Sequence, residues 1–480
     1  GTNYSTWSRT SYMARLNYSL MDRYLVTLTG RYDGASVLAT GNKWDFFPSA
    51  AVAWKINEES FMKNITWIDQ LKLRVGYGVT GNSSVSPYST AGSVTSTYAK
   101  IPFGYGAGSN VNGAKPDVMP NYDLGWEKTA STNFGIDFSF LRNRIFGSIE
   151  YYVAKTSDVI MNRSIPVITG YAQIRSNIGK TQNNGFELTL STVNIKNKKF
   201  SWQTDWSFST NKEKIVELTN GKVDEPGNNW FIGKPLNVYF DYEYDRIWQD
   251  NDNDKMMMAA YNANKITFLP GQYKIKDQPM ILCDASTPGA KKFTYNGQDY
   301  YYENNGFGKF DNDDKVVYQK SPKFSFGITN TLTYKDFALS FFIYGRFGNT
   351  YYGLTQTIGR RVENDTWSPT NTGAKFAQPT TATRTTAYDY VRNYCKGDMV
   401  MVRNISLSYN VPKLYASKIG ANTAQVYAQV LNPFLFGGEL VKAGINPDDI
   451  TGWDAGNHIG GQTNNTCITR SFVLGVRLGF

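Results

Sequence analysis

Few residues in this 480-residue chain have the type and spacing that chemistry needs. One histidine, His458, is present. A Ser-His-Asp triad or a His-rich metal site needs an imidazole beside a nucleophile or a second ligand, and His458 lies in the glycine-rich stretch 455–461 with neither. The three cysteines, Cys283, Cys395 and Cys467, are far apart and form no CxxC pair, so at most one disulfide can form. Cys395 and Cys467 both precede strand-like segments, where a bond between them would tie two loops, and free buried thiols are the other reading. Gly104-Tyr105-Gly106-Ala107-Gly108 has no helix start after it to aim a dipole at a phosphate. The run Asp250-Asn251-Asp252-Asn253-Asp254 reads as a solvated loop. What remains is a set of aromatic rings in irregular segments: Tyr88, Tyr105, Trp126, Trp230, Trp367 and Trp453. A flat polarisable ring can stack on a sugar or on a peptide side chain. Rings close to strand ends serve equally well as anchors at a membrane interface. No catalytic residue, cofactor site or metal site is expected, and the chain is not read as an enzyme.

The elements that carry these rings are strands. Aromatic residues make up 15% of the chain, with 43 glycines, and charged residues only 19%. No window of eighteen apolar residues exists, which excludes a transmembrane helix and leaves a transmembrane barrel open. A net charge of +10 comes without any Lys/Arg block of the length a nucleic-acid footprint needs. Period-two alternation is written along the whole chain. Phe472, Leu474, Val476, Leu478 and Phe480 point one way, and Ser471, Gly475, Arg477 and Gly479 the other. The same pattern recurs in Ala14-Leu16-Tyr18-Leu20, Phe186-Leu188-Leu190, Trp202-Thr204-Trp206-Phe208 and Phe337-Leu339-Phe341-Ile343. Segments such as 127–140 and 144–161 reach the roughly nine to eleven residues that cross a bilayer at a tilt.

The chain therefore reads as an all-β transmembrane antiparallel barrel with spanning strands near 12–20, 23–33, 47–56, 71–80, 127–140, 144–161, 181–194, 200–211, 323–334, 337–348, 398–409, 423–432 and 469–480. Barrels of this kind keep short turns in the periplasm and long loops outside. Met21-Asp22, Leu141–Asn143, Lys196–Lys199 and Lys335-Asp336 then share the periplasmic side, with 57–70 and 410–422 as longer links there. The extracellular side takes 34–46, 81–126, 162–180, 349–397, 433–468 and one excursion, 212–322, with local β-structure. That excursion holds 17 acidic and 14 basic residues, leaving a surplus of positive charge elsewhere for lipopolysaccharide phosphates or the lumen. Arg74, Arg403 and Arg477 are candidates for the lumen face, while Trp54, Trp202 and Trp206 are expected on the lipid side. An odd strand count implies further strands before Gly1 to complete the cylinder.

Three blocks in order carry a family resemblance: Arg31-Tyr32-Asp33-Gly34-Ala35-Ser36; Phe47-Pro48-Ser49-Ala50-Ala51-Val52-Ala53-Trp54 with Glu58-Glu59-Ser60-Phe61-Met62; and Leu71-Lys72-Leu73-Arg74-Val75-Gly76-Tyr77-Gly78. Asn184-Gly185-Phe186-Glu187-Leu188, the hairpin around Tyr334-Lys335-Asp336, Val402-Arg403-Asn404-Ile405-Ser406-Leu407-Ser408-Tyr409 and the closing segment 470–480 continue it. The sequence resembles the C-terminal part of the barrel of SusC/RagA-type TonB-dependent outer-membrane transporters over essentially its whole length, 1–480. The resemblance implies a barrel of about 22 strands, with the plug domain and early strands outside this chain. It also implies TonB-driven import of oligosaccharides or oligopeptides across the bacterial outer membrane, under a SusD-type lipoprotein lid. TonB would act through an N-terminal region absent here, and lipid and lipopolysaccharide would surround the wall.

Two departures stand out. Phe307 and Lys309 occupy positions where a calcium-like loop wants oxygen ligands, and Pro433 is expected to end its strand early. The terminal Phe480 on an alternating last strand fits an outer-membrane assembly signal, as the resemblance also implies. A passive porin and a soluble or surface glycan-binding β-protein are the competing readings.

Overall fold

The computed structural model describes residues 4–102, 110–352, 365–442, 446–449 and 469–480. The chain divides into two compact units, Gly1–Glu225 with Trp230–Leu236, and Pro226–Asn229 with Asn237–Phe480. The first contributes the long strands Arg9–Leu20, Tyr24–Ala35, Trp44–Lys55, Ile68–Asn82, Glu127–Phe140, Ile145–Ser157, Lys180–Lys196 and Phe200–Glu217. The second contributes Phe324–Tyr334, Phe337–Phe347, Met399–Val411, Thr423–Gly437 and Ser471–Gly479. All belong to one 13-stranded antiparallel sheet in chain order, and they are the thirteen segments that the alternation singles out.

Pairing register turns the alternation into two faces. In the first unit Leu16 lies opposite Leu28, Leu28 opposite Ala50, and Ala50 opposite Tyr77. Further along, Leu73, Ile136, Ile149, Leu188 and Phe208 follow one another across five strands. The opposite face runs Arg15, Thr29, Ser49, Gly78 and then Arg74, Gly135, Glu150, Glu187, Ser209. The second unit repeats the division, with Leu339, Leu407, Ala428 and Leu474 against Ser340, Ser406 and Gln429. The apolar face is open: Leu16 is 61% and Leu474 85% exposed. An apolar surface this extensive requires a nonaqueous neighbour.

Both ends of that face carry aromatic rings. Trp44 stacks with Tyr12 and Tyr32 at ring-centroid distances of 6.1 and 5.1 Å, and Trp54 lies opposite Tyr24 at the other end. Trp44 and Trp54 are on one face of one strand, roughly 33 Å apart at about 3.3 Å per residue. Tilted by about 40°, that length spans the roughly 25 Å apolar band of outer-membrane barrels.

The tight connections bend through left-handed backbone without glycine. Met21 and Asp22 have φ of 53° and 54°, Leu141, Arg142 and Asn143 have 57°, 60° and 58°, and Lys335 has 50°. Two-residue hairpins need φ above zero to match strand twist. Glu59, in the link after the strand Trp44–Lys55, organises the same end of the first unit. It accepts hydrogen bonds from Tyr24 Oη (2.6 Å), Trp54 Nε1 (3.0 Å) and Arg23 Nη1 (3.2 Å). The bonds from Tyr24 and Trp54 hold its carboxyl below the ordinary value of 4.5. A carboxylate depressed in the folded state stabilises the fold above its unfolded pKa, and that contribution disappears as pH falls through the folded one. Glu59→Gln is therefore expected to lower the melting temperature at pH 7, and the gap from the parent narrows below pH 4.5. Thermal melts of both proteins at pH 7 and below 4 check this.

Four expectations need correction. The strand Thr423–Gly437 passes through Pro433 instead of ending at 432. Asn432 takes φ 50° and the register slips from Asn404–Leu431 to Val402–Phe434, a bulge that accommodates the missing N–H. The segment 144–161 breaks after Ser157, where Asp158 turns left-handed (φ 56°). The outside stretches 81–126 and 162–180 are not plain loops; they supply the four-stranded sheet of Ser93–Pro102, Asn110–Met119, Gln173–Asn177 and Ile160–Ser164. Within the excursion 212–322, Asp250–Asp254 is not a solvated loop: it opens the helix Asp252–Ala263, with Asn251 Oδ1 accepting from Asp254 N at 2.9 Å.

Candidate functional site

Three places gather polar or aromatic side chains: the polar face of the long sheet, the Trp44 end of the first unit and the module formed between the long strands of the second. On the wall Arg74 reaches across two strands to Asp137 (2.9 and 2.8 Å) and Glu150 (2.8 Å), and Lys72 adds a contact to Asp137 at 3.5 Å. Gly135 lies between them because a Cβ there would come within 2.9 Å of the guanidinium carbon. A small residue on one strand thus lets a long polar chain lie flat across it. Glu187, directly opposite Glu150, is exposed on the same face. Arg74 is held by the wall's own carboxylates, and Arg477 lies opposite Gln425 on the polar side. Arg403 is ion-paired with Asp448, which also meets Arg346 at 3.0 Å.

The rim of the first unit centres on Trp126. Its ring is 4% exposed, edge-on to Phe47 at 5.3 Å, and its Nε1 donates to Lys43 O at 3.0 Å. Beside it a cleft of about 290 Å3 is lined by Trp44, Asp45, Asp123, Lys128, Asp158 and Asn177 among others. Lys128 neutralises Asp45 at 2.6 Å. Asp33, fully buried, takes Arg31 at 2.6 Å and Arg9 at 3.3 Å.

The module of the second unit is built on two aromatic cores. Trp248, Tyr261, Phe268, Phe293, Tyr302 and Phe307 form one, and Ile247, Tyr273, Ile275, Trp367 and Val391 the other. The strands Val238–Tyr242 and Tyr244–Ile247 pair inside this module with Lys315–Gln319 and Tyr273–Ile275, as a single excursion between two strands of the long sheet requires. Asp254, 1% exposed, is gripped by Arg246 through two bonds of 2.6 Å and by Gln249 N at 2.7 Å. Burial opposes its ionisation, but Arg246 and the Gln249 amide outweigh burial and hold its carboxyl below the ordinary value. Phe307 fills the core at 2% exposure, and Lys309 pairs with Asp311 at 2.9 Å, so neither offers an oxygen. Among the described residues no group of three His, Cys, Asp or Glu converges as a metal site.

The expected ring platforms are divided by burial. Tyr88 is 58% exposed, in a left-handed backbone position (φ 66°). Trp126 and Trp367 have no free ring face, so burial makes them packing residues. Trp230 is half-buried against Ile215 and Leu218. Tyr105, Trp453, His458 and Cys467 lie outside the described residues. Cys395 is a free thiol, buried and pushed up to about 12 by that burial, with Sγ 3.7 Å from Tyr351 O. Phe480 is 81% exposed past the last strand. Trp367 donates from Nε1 to Gln249 Oε1 at 3.0 Å, and Gly271 (φ 82°) leaves room for its ring, which a Cβ would meet at 2.5 Å. Trp367→Phe keeps most of the packing and is expected to cost about 1 kcal/mol for the lost bond. Faster amide exchange confined to 247–275 is the readout. Sequence reasoning missed Glu59 and the Arg246–Asp254 pair; Asn251 three residues before Asp254 was the signal for the second.

Comparison with known proteins places this geometry. The family model described as TonB dependent receptor-like, beta-barrel matches residues 1–432. TonB-dependent receptor SusC of Bacteroides thetaiotaomicron is 30% identical, with 98% of this chain and 43% of its own length covered. TonB-dependent receptor P26 of Formosa agariphila is 31% identical, covering 91% and 42%. The solved RagAB peptide transporter matches the fold with a TM-score of 0.72 at 20% identity, over 99% of this chain and 48% of that one. The chain thus spans less than half the length of each of these proteins.

Proposed function

Because this chain belongs to the TonB-dependent receptor β-barrel family, we propose that it supplies the wall and outer mouth of a SusC/RagA-type importer in the bacterial outer membrane. The observation that carries the reading is the two-faced sheet: an exposed apolar face bounded by Trp44 at one end and Trp54 at the other, backed by a polar face holding Arg74, Asp137 and Glu150. The apolar face meets lipid, and the polar face lines the solute's path. The long excursions fold into compact modules on the outside, where a SusD-type lipoprotein lid closes over the mouth and oligosaccharide or oligopeptide cargo first docks. Tyr88 is the described ring left free to stack on that cargo, with Tyr105 and Trp453 as further candidates. Phe480 serves insertion into the membrane. Force for import comes from TonB acting on a region outside this chain, and the chain itself does no catalysis.

Mass spectrometry of the native protein extracted from outer membranes in detergent tests this reading. A chain much larger than 54.0 kDa with a stoichiometric lipoprotein supports it. A 54.0 kDa species without a partner points to a porin, and recovery only in the soluble fraction points to a soluble binder; either overturns it.

A further inference from the structure

The link between the strands Met399–Val411 and Thr423–Gly437 has more structure than a connection requires. Lys413–Ala416 forms one helical turn and Ser417–Ile419 a tighter one, closed by Gly420 in the left-handed region (φ 76°). Tyr415 N donates to Pro412 O at 2.8 Å, Ala421 N to Ala416 O at 3.2 Å, and Ser417 Oγ to Lys413 O at 2.8 Å. Ala416 and Ala421 are buried at 1% and 2%, small enough to seat the link closely. Its outer side presents Leu414, Tyr415 and Ile419 at 69%, 58% and 59% exposure. A rigid segment that buries its alanines and holds its large apolar residues out is built to meet something apolar.

Two features identify what it meets. The first is charge: Lys413 and Lys418 flank the exposed apolar residues, Lys418 Nζ sits 5.8 Å from the Tyr415 ring centre, and Lys335 lies in the adjacent turn, tied to the link by Asn410 N donating to Asp336 O at 2.8 Å. Within this turn and link Asp336 stands against Lys335, Lys413 and Lys418, so cations prevail. The second is continuity: Tyr334, Phe337 and Tyr409 line up across three strands on the apolar face at this same end, with Phe337 and Tyr409 rings 4.6 Å apart. The link therefore starts where the apolar face ends and adds exposed apolar and basic groups there.

We propose that Pro412–Asn422 is an interfacial anchor that docks on the periplasmic leaflet, its apolar side chains reaching the acyl boundary and Lys413 and Lys418 meeting the phosphates of anionic phospholipid. The proposal rests on the membrane reading of the sheet and on its short turns facing the periplasm.

Amide exchange of the full-length protein in nanodiscs tests it, comparing phosphatidylglycerol-containing discs with phosphatidylcholine-only discs. Peptides covering 410–422 are expected to exchange more slowly with phosphatidylglycerol present, and Lys413→Gln with Lys418→Gln removes that difference. Leu414→Ser with Ile419→Ser speeds exchange in both lipids. Titration of phosphatidylglycerol should show binding weakened on the order of fivefold per lysine removed. Equal exchange in both lipids, or an unchanged lipid response in the lysine variant, overturns the anchor while protected strand peptides at 337–347 leave the membrane reading intact. Failure of the parent protein to enter discs overturns both.

Discussion

Leu188→Arg is expected to destabilise the membrane-embedded protein by about 2–4 kcal/mol, the cost of an arginine on the lipid face near the middle of the bilayer. Leu188 sits at the centre of the strand Lys180–Lys196, flanked by Ile149 and Phe208 on neighbouring strands, so an arginine there has only hydrocarbon around it. Thr189→Arg, one residue on, points to the polar face between Ser148 and Ser207 and is expected to cost only about 1 kcal/mol, for the hydroxyl's lost bond with Ser148. Denaturant unfolding from lipid vesicles separates the two. A one-residue change of position with a several-kcal/mol change of effect is the mark of a sheet whose faces meet different solvents; equal costs would mean that they do not.

Arg246→Ala is expected to be comparably severe, about 3–5 kcal/mol, although it belongs to a two-stranded sheet separate from the long one. It strips the counter-charge from Asp254, whose side chain is 1% exposed and is then left with the Gln249 amide as its donor. An uncompensated buried carboxylate either stays charged at that cost or takes up a proton. Arg246→Ala with Asp254→Asn removes the charge altogether and should recover most of the loss. Limited proteolysis within 247–310 reads the result, since Arg246 lies over the Trp248 ring and Trp248 packs on Tyr261. Rapid cleavage is expected in the single variant and near-parental resistance in the double. Because Arg246 is 37% exposed, solvent moderates its share of the pairing, and the lower end of the range is the better guide.

These two residues also mark what can and cannot be read from sequence. Leu188 was legible because a spanning strand is governed by one rule over a long stretch: every second residue faces lipid, and a one-residue slip would invert all of them. Strand number and order followed from that rule together with the lengths of the connections. Arg246 and Asp254 obey no period. Their pairing depends on how an irregular segment folds back on itself, and a run of Asp and Asn looks the same whether it is solvated or caps a helix. Pro433 was misread for a related reason: a bulge at Asn432 is a local conformational choice that the residue type permits without requiring. The ring platforms were legible as residue types but not as surfaces, since Trp126 and Trp367 turned inward to fill cores that only the three-dimensional packing defines. Glu59 belongs between these cases, a residue present in a recognisable block whose reason appears only when Tyr24, Trp54 and Arg23 are seen to converge on it.

Spin labels placed singly at residues 186–191 of the protein in bilayers show whether one face of the sheet meets lipid and the other lines an aqueous path. Accessibility to dissolved oxygen is expected to peak at 186, 188 and 190, and accessibility to a water-soluble nickel reagent at 187, 189 and 191. Accessibility that does not alternate, or that alternates with the opposite phase, would contradict that division of faces.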